Sequence, residues 1–156
     1  MWKLQEDGAS DRVSQGGAFG TYNLTAAGSP SAVQGVSGNA CNFDGVNDFL
    51  TNTSTVFEVE SDNVSILASM WVRFDNLSDT QQIIEFGDRS WQLSFFGGDV
   101  FLSGLGNYLR LDVNGGGQFV SDDNIITSID KFYHIVIYLS ANHRAIIMVG
   151  WCTSRY

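Results

Sequence analysis

The sequence predicts an all-β, antiparallel two-sheet sandwich, and three observations predict it. Apolar residues recur with period two over most of the chain. Turn-forming clusters interrupt these runs at short, regular intervals. No window of helical length keeps an apolar stripe at 3.6-residue spacing. The clearest alternation is VSILASMWVRF, Val64 to Phe74. There Ile66, Ala68, Met70, Val72 and Phe74 share one face, and Leu67, Ser69, Trp71 and Arg73 share the other. An apolar face opposite a mixed one is the pattern of a sandwich strand.

Six further strands are read at 81–86, 91–96, 100–103, 108–113, 132–139 and 145–149. Gly, Asn and Asp punctuate them, at Asp75-Asn76, Gly87-Asp88, Gly97-Gly98-Asp99, 104–107, 114–117 and 121–124. The segments 7–20 and 26–38 are rich in Gly and Ser and are read as loops. The best helical candidate is a single turn near Thr127 to Lys131.

The chain has 156 residues, which predicts one domain over 1–156. It carries 17 acidic and 8 basic residues for a net charge of −9. That average field repels polyanions, so nucleic acid is not an expected partner. With 17 Gly and 1 Pro, the balance is that of a turn-rich β protein. No run reaches about 18 consecutive apolar residues, so no helical membrane span is expected. MWKLQEDGAS lacks a basic region followed by an apolar run and does not read as a secretory signal. Cys41 and Cys152 could pair in an oxidising compartment; the favoured expectation for Cys41 is a small core residue.

The stretch GNACNFDGVNDFL, Gly38 to Leu50, resembles the G-x-A-x-x-F-D-G-x-x-D-Y-L signature of laminin-G-like, or concanavalin A-like, jelly-roll modules. Three other pieces resemble the same family. They are WKLQEDGASDR with the following Gly16-Gly17 and Asn23-Leu24-Thr25, the strand Ser65 to Phe74, and DKFYHIVIY, Asp130 to Tyr138. The resemblance implies a jelly-roll sandwich that binds or assembles more often than it catalyses. The family's closing hairpin and last strand have no counterpart in LSANHRAIIMVGWCTSRY, so the last sheet edge is expected to meet a neighbouring subunit or a rearranged strand.

The same resemblance implies a calcium ion at one rim of the sandwich. Asp44, Asn47 and Asp48 are the candidate ligands, since calcium takes hard oxygen donors from loops. The competing role is turn formation, because Asp and Asn bond their own backbone. In the signature, Ala40 and Phe43 are expected in the core, with Phe49 and Leu50 resuming the apolar pattern. Trp91, Asn107 and Tyr108 are the candidates for carbohydrate binding, which uses rings beside amides. The sequons at Asn23, Asn52, Asn63 and Asn76 are read as loop composition.

Catalysis is not expected. A glycoside hydrolase needs two carboxyls about 5 to 9 Å apart. Glu85 and Asp88 do not share a strand face, and Glu58 with Glu60 lacks a third acid. His134 lies in an apolar strand, His143 lies in a turn, and neither cysteine has a close ligand pair for zinc. The expected function is a non-enzymatic binding or assembly module. A virion surface protein, decorating a capsid or tail and touching host glycans, is the leading picture. The alternative is a secreted or cell-surface lectin-like domain, and a glycoside hydrolase carries less weight.

Overall fold

The computed structural model describes residues 4, 10–12, 22–52, 65–86, 91–98, 106–113, 117–140 and 144–152, with Cys152 described by its backbone alone. Among them the fold is all-β and every strand pairing is antiparallel. The chain divides into two compact units, Met1–Thr55 and Val56–Tyr156.

The first unit holds four short strands: β1 (Thr25–Ala27), β2 (Ser31–Gln34), β3 (Asn39–Asn42) and β4 (Phe49–Thr51). β1 pairs with β4, and β2 pairs with β3. Two of these, β1 and β2, fall where composition predicted loops, because short strands of Ala, Ser and Thr carry too little apolar periodicity to register. A single bridge joins Arg12 to Leu24. Arg12 is fully buried, and its guanidinium donates to the Ser10 carbonyl and to Cys41 Sγ. Cys41 is a half-buried free thiol.

The second unit is built from seven strands: β5 (Ile66–Val72), β6 (Gln81–Phe86), β7 (Trp91–Phe96), β8 (Tyr108–Val113), β9 (Gly117–Val120), β10 (Phe132–Leu139) and β11 (Ala145–Cys152). They form a three-stranded sheet, β11-β10-β5, and a four-stranded sheet, β6-β7-β8-β9. One hydrophobic cluster draws on both. Tyr133, Ile135 and Ile137 come from β10, while Leu93, Phe95, Leu109 and Leu111 come from β7 and β8. Two sheets that share a core through alternate residues form a sandwich. Phe74, just past β5, joins the layers, with its ring 4.6 Å from Phe95 and 6.4 Å from Tyr133.

The ladder of β6 and β7 shifts register between Gln82 and Ile84. The extra residue, Ile83, makes a bulge, so Ile83 and Ile84 both pack on the core. Gln82 and Glu85 then share the opposite face although they are three apart. The expected helical turn near Thr127 is instead a hydrogen-bonded turn. The buried Tyr133 hydroxyl accepts from the Thr127 and Ser128 amides at 3.0 and 2.9 Å and donates to the Ser128 carbonyl. No helix of the described residues is long and apolar enough to cross a membrane.

Candidate functional site

Alternation along β5, β10 and β11 sends every second residue away from the core. Register brings these residues into three rows across the sheet: Trp71–His134–Gly150, Ser69–Val136–Met148 and Leu67–Tyr138–Ile146. None of the nine positions carries a carboxylate, a lysine or an arginine. Five are large apolar or aromatic side chains in contact with solvent, with exposures of 70% for Leu67, 46% for Trp71, 37% for Tyr138, 52% for Ile146 and 53% for Met148. Outward faces of half-solvated antiparallel sheets are ordinarily polar. Among the described residues this apolar face is the surface feature that departs most from that pattern.

Two features shape it. His134 stacks under Trp71 with ring centroids 4.8 Å apart, and its Nε2 lies 2.8 Å from Ser69 Oγ. The indole is thereby held upright at one corner. At the other end of the same row Gly150 leaves a notch, where a Cβ would meet no atom within 4 Å. β11 is also an outer strand of its sheet, with β10 as its partner among the described residues. Its eight residues, AIIMVGWC, hold no charge, no proline and no bulge, which are the usual protections of an edge. Cations stand at one end of the face, where Arg73 follows Trp71 on the same side of the chain. Arg73 lies over Phe132 at 5.5 Å, and Lys131 over Trp151 at 4.8 Å.

The outward face of the four-stranded sheet is different. Glu85, Gln92, Asp112 and Gln118 make one row across all four strands. These groups bond locally: Gln82 donates to Glu85 at 2.6 Å, Gln92 to Ser94 at 3.1 Å and Arg110 to Asp112 at 2.9 Å. Arg110 also lies 4.1 Å over the Phe96 ring.

The candidate carbohydrate residues do not gather into a platform. Trp91 is buried and stacked on Phe86 at 4.1 Å, on the core side. Tyr108 is buried and stacked on Phe96 at 5.3 Å, on the outward side of the sheet. Neither ring offers a face on which a sugar could stack from solvent. Asn107 braces a loop instead: its side chain accepts from the Gly98 amide, and its carbonyl accepts from Ile125.

The candidate calcium residues are close together and engaged with backbone. Asp44 Oδ1 accepts from the amides of Val46, Asn47 and Asp48 at 2.8, 3.1 and 3.3 Å. Asp48 accepts from Asp44 and Ser29 at 3.1 and 2.7 Å. The amides of Val46 and Asn47 hold the Asp44 carboxyl below the usual carboxylate range. Gly45 takes φ +73°, as the Asp-Gly turn requires. This donor pattern is that of a turn held by its own carboxylates, and among the described residues no three His, Cys, Asp or Glu come together as a metal-binding group. The core expectation for Phe43 is corrected, since its ring is exposed beside the turn that Asp44 holds, and Phe49 at the start of β4 is exposed as well.

Glu85 is an exposed strand residue bonded by Gln82. Asp88, Glu58, Glu60, His143, the strand expected at 100–103, Trp2, Gly16-Gly17 and the Asn63 sequon lie outside the described residues. So does the Cys152 side chain.

In the sequence, Leu67, Ser69 and Trp71 share what reads as the mixed face of a sandwich strand, and in the structure Val136, Tyr138, Ile146 and Met148 complete it as an apolar surface. Their signal was present. FYHIVIYL and AIIMV are apolar at almost every position, and strands apolar on both sides are normally covered on both sides. No family model, curated protein or solved structure matches this chain.

Proposed function

We propose that the protein is a non-enzymatic binding and assembly module that docks through the outward face of the β5-β10-β11 sheet. The observation that carries this reading is the run of exposed Leu67, Trp71, Tyr138, Ile146 and Met148 within nine neighbouring positions that carry no charge. Burial of such side chains yields about 25 cal/mol per Å², so the face gains most where another apolar surface covers it. The edge of β11, which holds no charge, proline or bulge, lies beside it and supports the same reading. The coat or tail of a virus particle is an assembly of this kind. The jelly-roll topology rests on the sequence resemblance, and the virion level rests on the missing counterpart of the family's closing strands.

Adhesion to surface glycans is a second reading. The row Glu85–Gln92–Asp112–Gln118 favours it, since it sets amides and carboxylates side by side on rigid strands. Loss of binding to a glycan array on Gln92→Ala would support it, and unchanged binding would remove it.

The assembly reading is tested with Leu67→Ser, Ile146→Ser and Met148→Ser combined. All three side chains are exposed, so circular dichroism should stay that of the wild type. Light scattering should show the wild type in a larger species and the variant at the 17.1 kDa of one chain. Association that survives all three substitutions, or a wild type that never exceeds one chain mass and binds apolar dye no better than the variant, would sink the reading.

A further inference from the structure

We infer that the partner on this face is a second copy of the chain, packed sheet against sheet about a two-fold axis running along β10. The inference rests on the assembly reading and names its partner. In the sheet order β11-β10-β5, β10 lies between two outer strands. Rotation by half a turn about an axis along β10 lays β5 of one copy on β11 of the other and keeps each row at its own level. Trp71 then faces Gly150, Ser69 faces Met148 and Leu67 faces Ile146, each contact occurring twice. His134, Val136 and Tyr138 face their own counterparts.

This superposition matches sizes. The largest side chain of the face meets the position where added atoms find open space, and the smallest residue of β5's outward set, Ser69, meets Met148. Packed layers interdigitate when large residues oppose small ones. An axis across the strands instead would stack Trp71 on Leu67 and leave Gly150 facing Ile146, crowding one edge and hollowing the other. Two-fold dimers are also the commonest closed assembly, and their interface must be complementary to itself.

Charge points the same way. Each copy carries −9, so two copies repel over most approaches. The nine positions of this face hold no carboxylate, so contact here sets no acid against acid. The indole, held by the His134 stack at 4.8 Å, needs little ordering on docking.

The test uses sedimentation equilibrium on the full chain and three variants. The wild type should sediment as a dimer. Gly150→Trp fills the notch and should weaken the dimer by about tenfold or more, as should Trp71→Ala. The double variant Trp71→Ala/Gly150→Trp returns one ring and one hollow to each pair and should recover most of the affinity. Both positions are solvent-facing, and thermal unfolding of the variants verifies that the fold persists. A dimer indifferent to Gly150→Trp, or a double variant no tighter than its parents, overturns the inference. A species of different order, a different protein on the face, or a segment of the same chain covering it also overturns it while leaving the assembly reading in place. A wild type that stays single and shows no dependence on the face removes both.

Discussion

Two tyrosines show how the same hydroxyl acts in opposite ways. Tyr133 and Tyr108 are both buried, yet Tyr133 bonds the turn at Thr127 and Ser128, whereas the Tyr108 hydroxyl meets no partner among the described residues. Tyr133→Phe strands two amides and should cost about 1–3 kcal/mol, while Tyr108→Phe should be neutral or stabilising. Urea midpoints of the two variants check this, and equal shifts would contradict it. Asp44 gives the pH dependence. Its folded-state affinity for protons is lowered by the amides of Val46 and Asn47. A lowered carboxyl contributes stability above its unfolded value of about 3.9 and loses it as pH falls through the folded value. The Val46 and Asn47 amide resonances should therefore shift in acid below that unfolded value, and Asp44→Asn should abolish the transition. A transition unchanged in Asp44→Asn would assign it to another group.

At the scale of elements, the bulge in β6 holds one residue more than its ladder uses. Removing Ile83 leaves Gln81, Ile84 and Phe86 inward and Gln82 and Glu85 outward, a regular alternation opposite β7. Deletion of Ile83 should therefore fold at the cost of one half-buried isoleucine. Deletion of Gln92 turns part of β7 inside out and should leave no cooperative unfolding transition; similar behaviour of the two deletions would refute this. The bulge was not legible in the sequence, since QQIIEF reads equally as a run that merely loses its alternation. Strands with strong alternation or continuous apolar runs are legible in the sequence, although β5 covers only Ile66–Val72 of the run read from Val64 to Phe74. β6, β7, β8 and β10 occupy the spans read from periodicity, and β11 extends three residues past its expected end. β9 was missed because Gly117-Gln118-Phe119-Val120 opens on a glycine cluster that reads as turn. Trp91 and Tyr108 were taken for rim rings because both follow turn residues, and proximity to a turn does not decide which way a strand side chain points. At the loop of Asp44 the turn chemistry was legible and the outward rings were not.

At the scale of the molecule, like charge and apolar contact act against each other between copies. The net charge of −9 acts through solvent, whereas the nine positions of the β5-β10-β11 face carry no charge. From about 0.01 to 0.15 M salt the Debye length falls from about 30 to 8 Å, so the repulsion between copies fades while apolar contact remains. The dimer should tighten as salt rises, measured by sedimentation at fixed concentration. Weakening over that range would mean that attractive ion pairs hold it. The stack of Trp71 on His134 also has an optical consequence. An indole that is half in water in the single chain and enclosed in the dimer reports its surroundings by its emission colour. Trp91 is enclosed in either state and Trp151 is exposed outside the nine positions, so loss of the colour shift in Trp71→Phe assigns it to Trp71. Simple dilution should therefore move the fluorescence toward the red, and the chain carries its own dye for its own association.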